Sequence, residues 1–176
     1  MTMTATTTTT TTTTTIAAAA DPVDPIRVLF LCTHNSARSQ MADGLLRHLG
    51  CDAFAAFSAG TEATRVHPLA ITAMREIGVD ITGQRSKVLT EYLAQRFDAV
   101  ITVCDDANDA CPTFPGKTER LHWLLPDPSA MTGTEAEQLA AFRAVREALS
   151  HLLPPFIATT RQRYAPHAQG VNRVNA

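Results

Sequence analysis

Residues 26–39, IRVLFLCTHNSARS, constrain the fold of this chain more than any other stretch. An apolar run that ends at Cys32 is typical of a buried β-strand, and a helical pattern begins near Ser39. A strand followed by a turn and a helix indicates the start of a parallel α/β sheet. In such a turn, backbone N–H groups and the free N–H groups of the helix start converge on one point. That arrangement suits a tetrahedral oxyanion.

The side chains of this turn add chemistry to the anion site. Arg38 offers a planar pair of donors to two oxygens of one anion. The positive surroundings predict a thiolate at Cys32, with a pKa below the ~8.5 of a free cysteine. The alternative is a buried structural cysteine beside a surface arginine, and the strand before and the helix after favour a functional loop. The predicted anion-binding residues are Thr33, His34, Asn35, Ser36, Ala37, Arg38 and Ser39.

Apolar spacing along the rest of the chain predicts alternating strands and helices. The predicted strands lie near 26–31, 53–58, 98–103 and 120–125, and the predicted helices span 39–49, 68–77, 91–96 and 135–152. Gly50 is expected to cap the first long helix in a left-handed conformation, and Pro154 and Pro155 are expected to end the last one. This order predicts an α/β fold with a four-stranded parallel sheet and helices on both faces. Ligands gather at the carboxyl ends of such strands, where Cys32 and Cys104 both lie.

Composition divides the chain into three parts. Residues 1–25 are a Thr-rich leader predicted to be disordered, residues 26–155 form one domain, and residues 156–176 are predicted to be a flexible tail. The leader lacks the basic and apolar regions of a secretory signal, so we expect a cytoplasmic protein. A net charge of −2 argues against nucleic acid as a partner. No apolar run approaches the ~18 residues of a membrane span.

Cys104 and Cys111 are seven residues apart in the segment CDDANDAC. In a helix they would lie roughly 10 Å apart, whereas a disulfide needs Cα atoms within about 7 Å. Asp and Asn are poor helix-interior residues, so this segment can unwind and allow a redox pair. Two inert thiols are an open alternative, and a zinc site lacks suitable ligand spacing even with His122. No catalytic role is expected for Cys51.

Together, these motifs resemble those of the thioredoxin-coupled arsenate reductases, which share the low-molecular-weight tyrosine phosphatase fold. The resemblance is carried by Cys32-x5-Arg38-Ser39, the Ser58-Ala59-Gly60 turn, the pair Cys104 and Cys111, and Asp127 between two prolines. It extends from about Val28 to Leu152. The two downstream cysteines separate this family from the phosphatases.

The resemblance implies a three-cysteine relay that reduces arsenate to arsenite. Cys32 attacks arsenate held by Arg38 and the loop, and Asp127 protonates the departing oxygen. Cys104 attacks the adduct and arsenite leaves. Cys111 then forms a disulfide with Cys104 that external thioredoxin reduces. No tightly bound cofactor or metal is expected, and phosphate or sulfate would compete with arsenate.

Three positions depart from the family pattern. His34 stands where the family usually has Gly, so a positive φ there would be strained. Ala37 replaces a cysteine that is common before the arginine. Some relatives bind potassium through four side chains, of which Asn35, Asp43 and Ser58 match here. The fourth position is Lys87, whose ammonium is predicted to replace the ion and make activity independent of potassium.

Two other functions remain open on the sequence. A low-molecular-weight protein tyrosine phosphatase would share the anion loop and Asp127, but such enzymes usually carry tyrosines after the Asp-Pro pair. Here Ser129-Ala130-Met131 follow. A non-catalytic redox or anion sensor would use the Cys104 and Cys111 pair as a switch. The presence of both an anion loop and a candidate acid argues against such a sensor.

Overall fold

A computed structural model describes residues 24–109 and 111–164 of the chain. Strands and helices alternate along these residues: β1 Ile26–Cys32, α1 Arg38–Gly50, β2 Phe54–Gly60, α2 Pro68–Arg75, β3 Ala99–Thr102, α3 Asp105–Asp109, β4 Glu119–His122 and α4 Glu135–Tyr164. Short 3₁₀ helices lie at Cys51–Ala53, Leu89–Tyr92 and Pro128–Ala130. Residues 1–23 of the predicted leader lie outside the described residues. Within the described residues, no helix is both long and apolar enough to cross a membrane.

The four strands form one parallel sheet in the order β2-β1-β3-β4. The predicted fold class is therefore confirmed. Cys32 at the end of β1 is in register with Gly60 at the end of β2, and β3 pairs with the other side of β1. Because the chain crosses from β1 to neighbours on opposite sides, the carboxyl end of β1 is the switch point where such sheets bind ligands.

Aromatic side chains cover both faces of the sheet. On one face, Phe30 of β1 packs against Trp123, and Trp123 packs edge-on against Phe156 of α4, with ring centroids 5.7 Å apart. On the other face, Phe57 of β2 contacts Phe97 at 5.5 Å. That second face is covered partly by the 3₁₀ helix Leu89–Tyr92, which replaces the longer helix predicted at 91–96.

The last helix does not end at its prolines, so that prediction is wrong. α4 continues through Pro154 and Pro155 to Tyr164. Residues 156–164 of the predicted tail therefore belong to this helix, and residues 165–176 lie outside the described residues. Proline inside a helix costs about 3 kcal/mol. Beyond the prolines, Phe156 and Ile157 are buried, and burial of such side chains contributes about 1.5–3 kcal/mol each. This packing offsets the lost hydrogen bonds.

The end of α1 also differs from its prediction. Gly50 has a φ of −84°, and the following Cys51 takes the positive φ of 48°. Glycine is needed at position 50 for space, because a Cβ there would lie 2.8 Å from the ring of Phe54. The glycine therefore allows close packing and not a left-handed cap.

Candidate active site

The sulfur of Cys32 lies at the base of the loop between β1 and α1. The residue is buried, its Sγ is 2.8 Å from Ser39 Oγ, and the backbone N–H of Asn35 donates to Sγ at 3.1 Å. Asn35 Nδ2 also donates to Ser39 Oγ at 2.8 Å. Because that oxygen already accepts from Asn35, the Ser39 hydroxyl hydrogen is free to point at the sulfur. Two donors are thus aimed at Cys32.

Asn35 holds the loop in shape. It is fully buried with a φ of 45°, a conformation that Asn tolerates better than most residues. Its Oδ1 accepts from Gln40 Nε2 at 2.9 Å and from the backbone N–H of Lys87 at 2.8 Å. The strain considered for His34 does not arise, because the positive φ is adopted by the next residue, Asn35. No glycine is required at position 34.

The loop peptides are oriented by bonds to their carbonyl oxygens. Thr33 O accepts from the backbone N–H of Glu62, His34 O from Ser86 Oγ, and Ser36 O from the backbone N–H of His67. The N–H of a trans peptide points away from its C=O. The N–H groups that follow these carbonyls therefore face the interior of the loop, where an oxyanion would accept from them.

Gly60 at the end of β2 makes this loop possible. A Cβ at this position would lie 2.5 Å from Thr33 O and 2.7 Å from Asn35 N, both of which are backbone atoms. Any side chain would push the loop away from the strand. The Ser58-Ala59-Gly60 turn is thus a structural partner of the anion loop.

The prediction of a lowered pKa for Cys32 was wrong in direction. Burial raises the pKa of the Cys32 thiol above its ordinary value, while the Ser39 hydrogen bonds and Arg38 act in the opposite direction. Desolvation disfavours the charged form of any acid. Burial therefore favours the thiol form of Cys32, and the donors limit the rise in its pKa.

Arg38 joins the loop to the segment that carries the candidate acid. Its guanidinium donates to Leu125 O at 3.2 Å and to Asp127 Oδ2 at 3.1 Å. The other oxygen of Asp127 accepts from the backbone N–H of Ser129, which caps the 3₁₀ helix behind Pro128. β4 ends at His122 and not at the predicted residue 125, and this shorter strand leaves Leu125 free to reach Arg38.

The two downstream cysteines differ in their distance from the loop. Cys104 is buried after β3, and its Sγ lies 3.4 Å from Thr33 Oγ1. Burial is the main cause of the raised pKa of Cys32, and a negative charge on Cys104 would add to it. Cys111 is half-buried beyond α3 and contacts Pro112 O at 3.8 Å. The cysteines are free, and α3 spans Asp105–Asp109 between them, as the helical alternative for this segment predicts.

A cavity of about 360 Å³ connects these groups at the carboxyl end of the sheet. It is lined by Thr33, His34, Arg38, Cys104, Asp106, Leu124, Leu125, Pro126 and Asp127. A much smaller space of about 20 Å³ reaches Cys32, Ser36 and Ala37. A larger cavity, about 560 Å³, lies near Ile26 at the opposite end of the strands and far from the thiols. The 360 Å³ cavity and the small space next to it form the candidate site, because an anion in that small space would touch Cys32.

Lys87 occupies the position predicted from the potassium-binding pattern. Its Nζ donates to Ser58 Oγ at 3.3 Å and to Arg85 O at 2.8 Å. Ser58 Oγ in turn donates to Asp43 Oδ2 at 2.9 Å. Burial lowers the pKa of Lys87, and Asp43 opposes that shift. The ammonium thus has an anionic neighbour and two oxygen acceptors.

The structure brings the predicted site residues together at the end of β1, with Cys111 farther out. Sequence reasoning missed Gln40, which is fully buried and bonds to both Asn35 Oδ1 and Arg85 O. A glutamine on a helical face next to apolar residues was the available signal. It also missed His67, whose backbone fixes Ser36 and whose ring stacks on Phe142 at 4.6 Å.

Known proteins are similar to this chain in sequence. The family model described as low molecular weight phosphotyrosine protein phosphatase matches residues 27–165. The arsenate reductase of Halalkalibacterium halodurans is 43% identical over 132 residues, which cover 75% of this chain and 95% of the relative. The arsenate reductase of Bacillus subtilis is 41% identical over 132 residues, with the same coverage.

Solved structures share the fold. An arsenate reductase in the phosphate binding state is 34% identical with a TM-score of 0.62, over 76% of this chain and 98% of that one. The thioredoxin-dependent arsenate reductase of Corynebacterium glutamicum is 30% identical with a TM-score of 0.60, over 81% of this chain and 65% of that one. The tyrosine phosphatase Wzb of Escherichia coli K30, in complex with sulphate, is 26% identical with a TM-score of 0.62, over 76% and 97%.

Proposed function

The chain belongs to the low molecular weight phosphotyrosine protein phosphatase family, and we propose that it reduces arsenate to arsenite through Cys32, Cys104 and Cys111. The observation that carries this proposal is the position of Cys104, whose Sγ lies 3.4 Å from Thr33 of the anion loop. Hydrolysis of a phosphate ester needs one thiol, whereas a two-electron reduction needs a second one within reach of the first. The curated arsenate reductases at 41% and 43% identity support the same chemistry.

In the first step, arsenate enters the loop and the sulfur of Cys32 attacks arsenic. The inward N–H groups and Arg38 hold the oxygens, and such preorganised donors stabilise developing negative charge. The anion competes with Asp127 for the guanidinium. A sulfur–arsenic bond forms, and one arsenate oxygen leaves as water after it gains a proton from Asp127. The thiol proton of Cys32 is transferred to the dianionic substrate as it binds.

In the second step, Cys104 attacks Cys32 and arsenic is reduced. A disulfide forms between the two sulfurs, and the electron pair of the sulfur–arsenic bond stays on arsenic, so that As(V) becomes As(III). Arsenite then leaves the loop and carries the proton of the Cys104 thiol. Thr33 Oγ1 is placed to donate to the attacking sulfur. A hydrogen bond to the charged form favours the thiolate.

In the third step, Cys111 attacks Cys104 and releases Cys32 as a thiolate. α3 is five residues long and rich in Asp and Asn, so its unwinding costs little. The resulting disulfide between Cys104 and Cys111 lies nearer the surface, where a dithiol reductant can reach it. We propose thioredoxin for this role, supported by the thioredoxin-dependent relative from C. glutamicum, with no tightly bound cofactor and a cytoplasmic site of action.

Phosphate is a predicted competitor at this loop, since a relative has been solved in a phosphate binding state. Weak phosphatase activity of the loop is compatible with the reductase proposal. A dedicated tyrosine phosphatase would need an aromatic wall by the substrate, whereas Ala130 and Met131 follow the candidate acid. The reductase remains the function that the geometry supports best.

The test measures arsenite production with thioredoxin, thioredoxin reductase and NADPH. Wild type is compared with Cys32→Ser, Cys104→Ser and Cys111→Ser, and Cys51→Ser is the matched control because Cys51 is exposed and remote from the loop. We expect turnover in wild type and in the control, and none in the three relay variants. Turnover that survives Cys111→Ser would show that the relay ends elsewhere.

A further inference from the structure

The strand β4 places a cation beside the last thiol of the relay. Arg120 NH2 donates to the carbonyl oxygen of Pro112, and the Cys111 thiol contacts the same oxygen at 3.8 Å. The guanidinium and the sulfur therefore meet at one backbone acceptor. We propose that Arg120 is a positioning residue that favours the thiolate of Cys111 and fixes the chain immediately after it. This inference rests on the proposed function, because it assigns Cys111 the role of attacking thiol.

The surroundings of Cys111 explain why a cation matters there. Asp106 and Asp109 are exposed on the segment that leads to Cys111, but it is burial that disfavours the Cys111 thiolate. Partial burial raises the pKa of the Cys111 thiol, and Arg120 is the group that acts against this rise among the described residues. Only the thiolate is nucleophilic in disulfide exchange. Arg120 therefore increases the reactive fraction of Cys111.

The bond to Pro112 also determines which part of the chain moves. Cys111 must approach Cys104, and the helical residues between them can unwind. Arg120 belongs to the sheet, so its contact with Pro112 ties the far side of Cys111 to a fixed element. The rearrangement is thereby confined to the segment between the two cysteines.

The exchange step balances without an added reagent. The Cys111 thiol gives its proton to solvent, and its sulfur attacks Cys104 Sγ in the disulfide between Cys32 and Cys104. The new bond joins Cys104 and Cys111, and the electron pair of the broken bond leaves on Cys32. No net oxidation occurs in this step, since one disulfide replaces another.

Reactivity of Cys111 tests the proposal without arsenate. In a background with Cys32, Cys51 and Cys104 changed to Ser, iodoacetamide reports on Cys111 alone across a pH series. We expect Arg120→Gln to raise the pH midpoint of Cys111 and to slow its alkylation at neutral pH by up to about fivefold, the upper end for an exposed charge interaction. Arg120→Lys keeps the charge, so its pH midpoint and alkylation rate should stay near those of the parent protein with the three serine substitutions. Arg75→Gln removes an exposed charge on α2 as the matched control.

Salt separates a charge effect from a structural one. In about 1 M salt the Debye length falls to about 3 Å, so the parent midpoint should rise towards that of Arg120→Gln. Equal midpoints in both proteins at low salt would overturn the proposal. So would equal slowing in Arg120→Lys and Arg120→Gln with no response to salt.

Single turnover with arsenate links the result to the relay. With all four cysteines present, Arg120→Gln should accumulate the disulfide between Cys32 and Cys104, because the next exchange is slowed. If this disulfide accumulates no more in Arg120→Gln than in wild type, the role of Arg120 in the relay is overturned. If the wild-type chain forms no arsenite, the proposed function fails, while the alkylation series still decides whether Arg120 controls Cys111.

Discussion

Replacing Ser39 with Ala tests how the loop activates Cys32. The hydroxyl lies 2.8 Å from the sulfur and receives a hydrogen bond from Asn35 Nδ2. A hydrogen bond to a charged group is worth about 1.5–3 kcal/mol, which corresponds to roughly a ten- to hundredfold change in thiolate population. We expect Ser39→Ala to raise the pKa of Cys32 further and to lower kcat/KM for arsenate by a similar factor at neutral pH.

The assay is the pH profile of arsenate reduction together with iodoacetamide alkylation of Cys32. Both midpoints should move to higher pH in Ser39→Ala. Ser150→Ala on α4, remote from the loop, is the matched control. The variant also leaves Asn35 Nδ2 without its acceptor, so unfolding in denaturant is measured in parallel. An unchanged kcat/KM and an unchanged pH midpoint would refute the claim that Ser39 stabilises the thiolate.

Changes at other polar groups have equally defined outcomes. Potassium at constant ionic strength should leave arsenate turnover unchanged, because the Lys87 ammonium already contacts Ser58; marked stimulation would contradict this. Asn35→Ala loses buried hydrogen bonds at a φ of 45°, so denaturation should show a free energy of unfolding lower by roughly 3 kcal/mol. The pKa of Glu76 is lowered to about 2, chiefly by Arg143. Its stabilisation is present above the ordinary value of 4.5 and lost towards pH 2, so Glu76→Gln should lower Tm at neutral pH but not near pH 2.

The sequence predicted the parallel sheet and the loop because both depend on local patterns. An apolar run, a short turn and a helical repeat identify β1 and α1, and Cys32 and Arg38 take their positions from that succession. The parallel direction of the strands follows from the alternation of strands and helices. These features require no knowledge of distant contacts.

The errors arose where tertiary packing outweighs a local preference. α4 continues through Pro154 and Pro155 because Phe156 packs on Phe54 and Trp123, residues distant in sequence. The pKa of Cys32 rises because burial outweighs its donors, and the depth of burial is a property of the whole fold. The contact of Arg120 with Pro112 likewise depends on how β4 is placed.

Mapping the sulfur bonds after one equivalent of arsenate tests the central claim most directly. Without reductant, wild type should show a single disulfide between Cys104 and Cys111, and Cys111→Ser should trap the disulfide between Cys32 and Cys104. Peptide mass spectrometry distinguishes these bonds. A wild-type protein that releases arsenite while Cys104 and Cys111 both remain free thiols would contradict the relay.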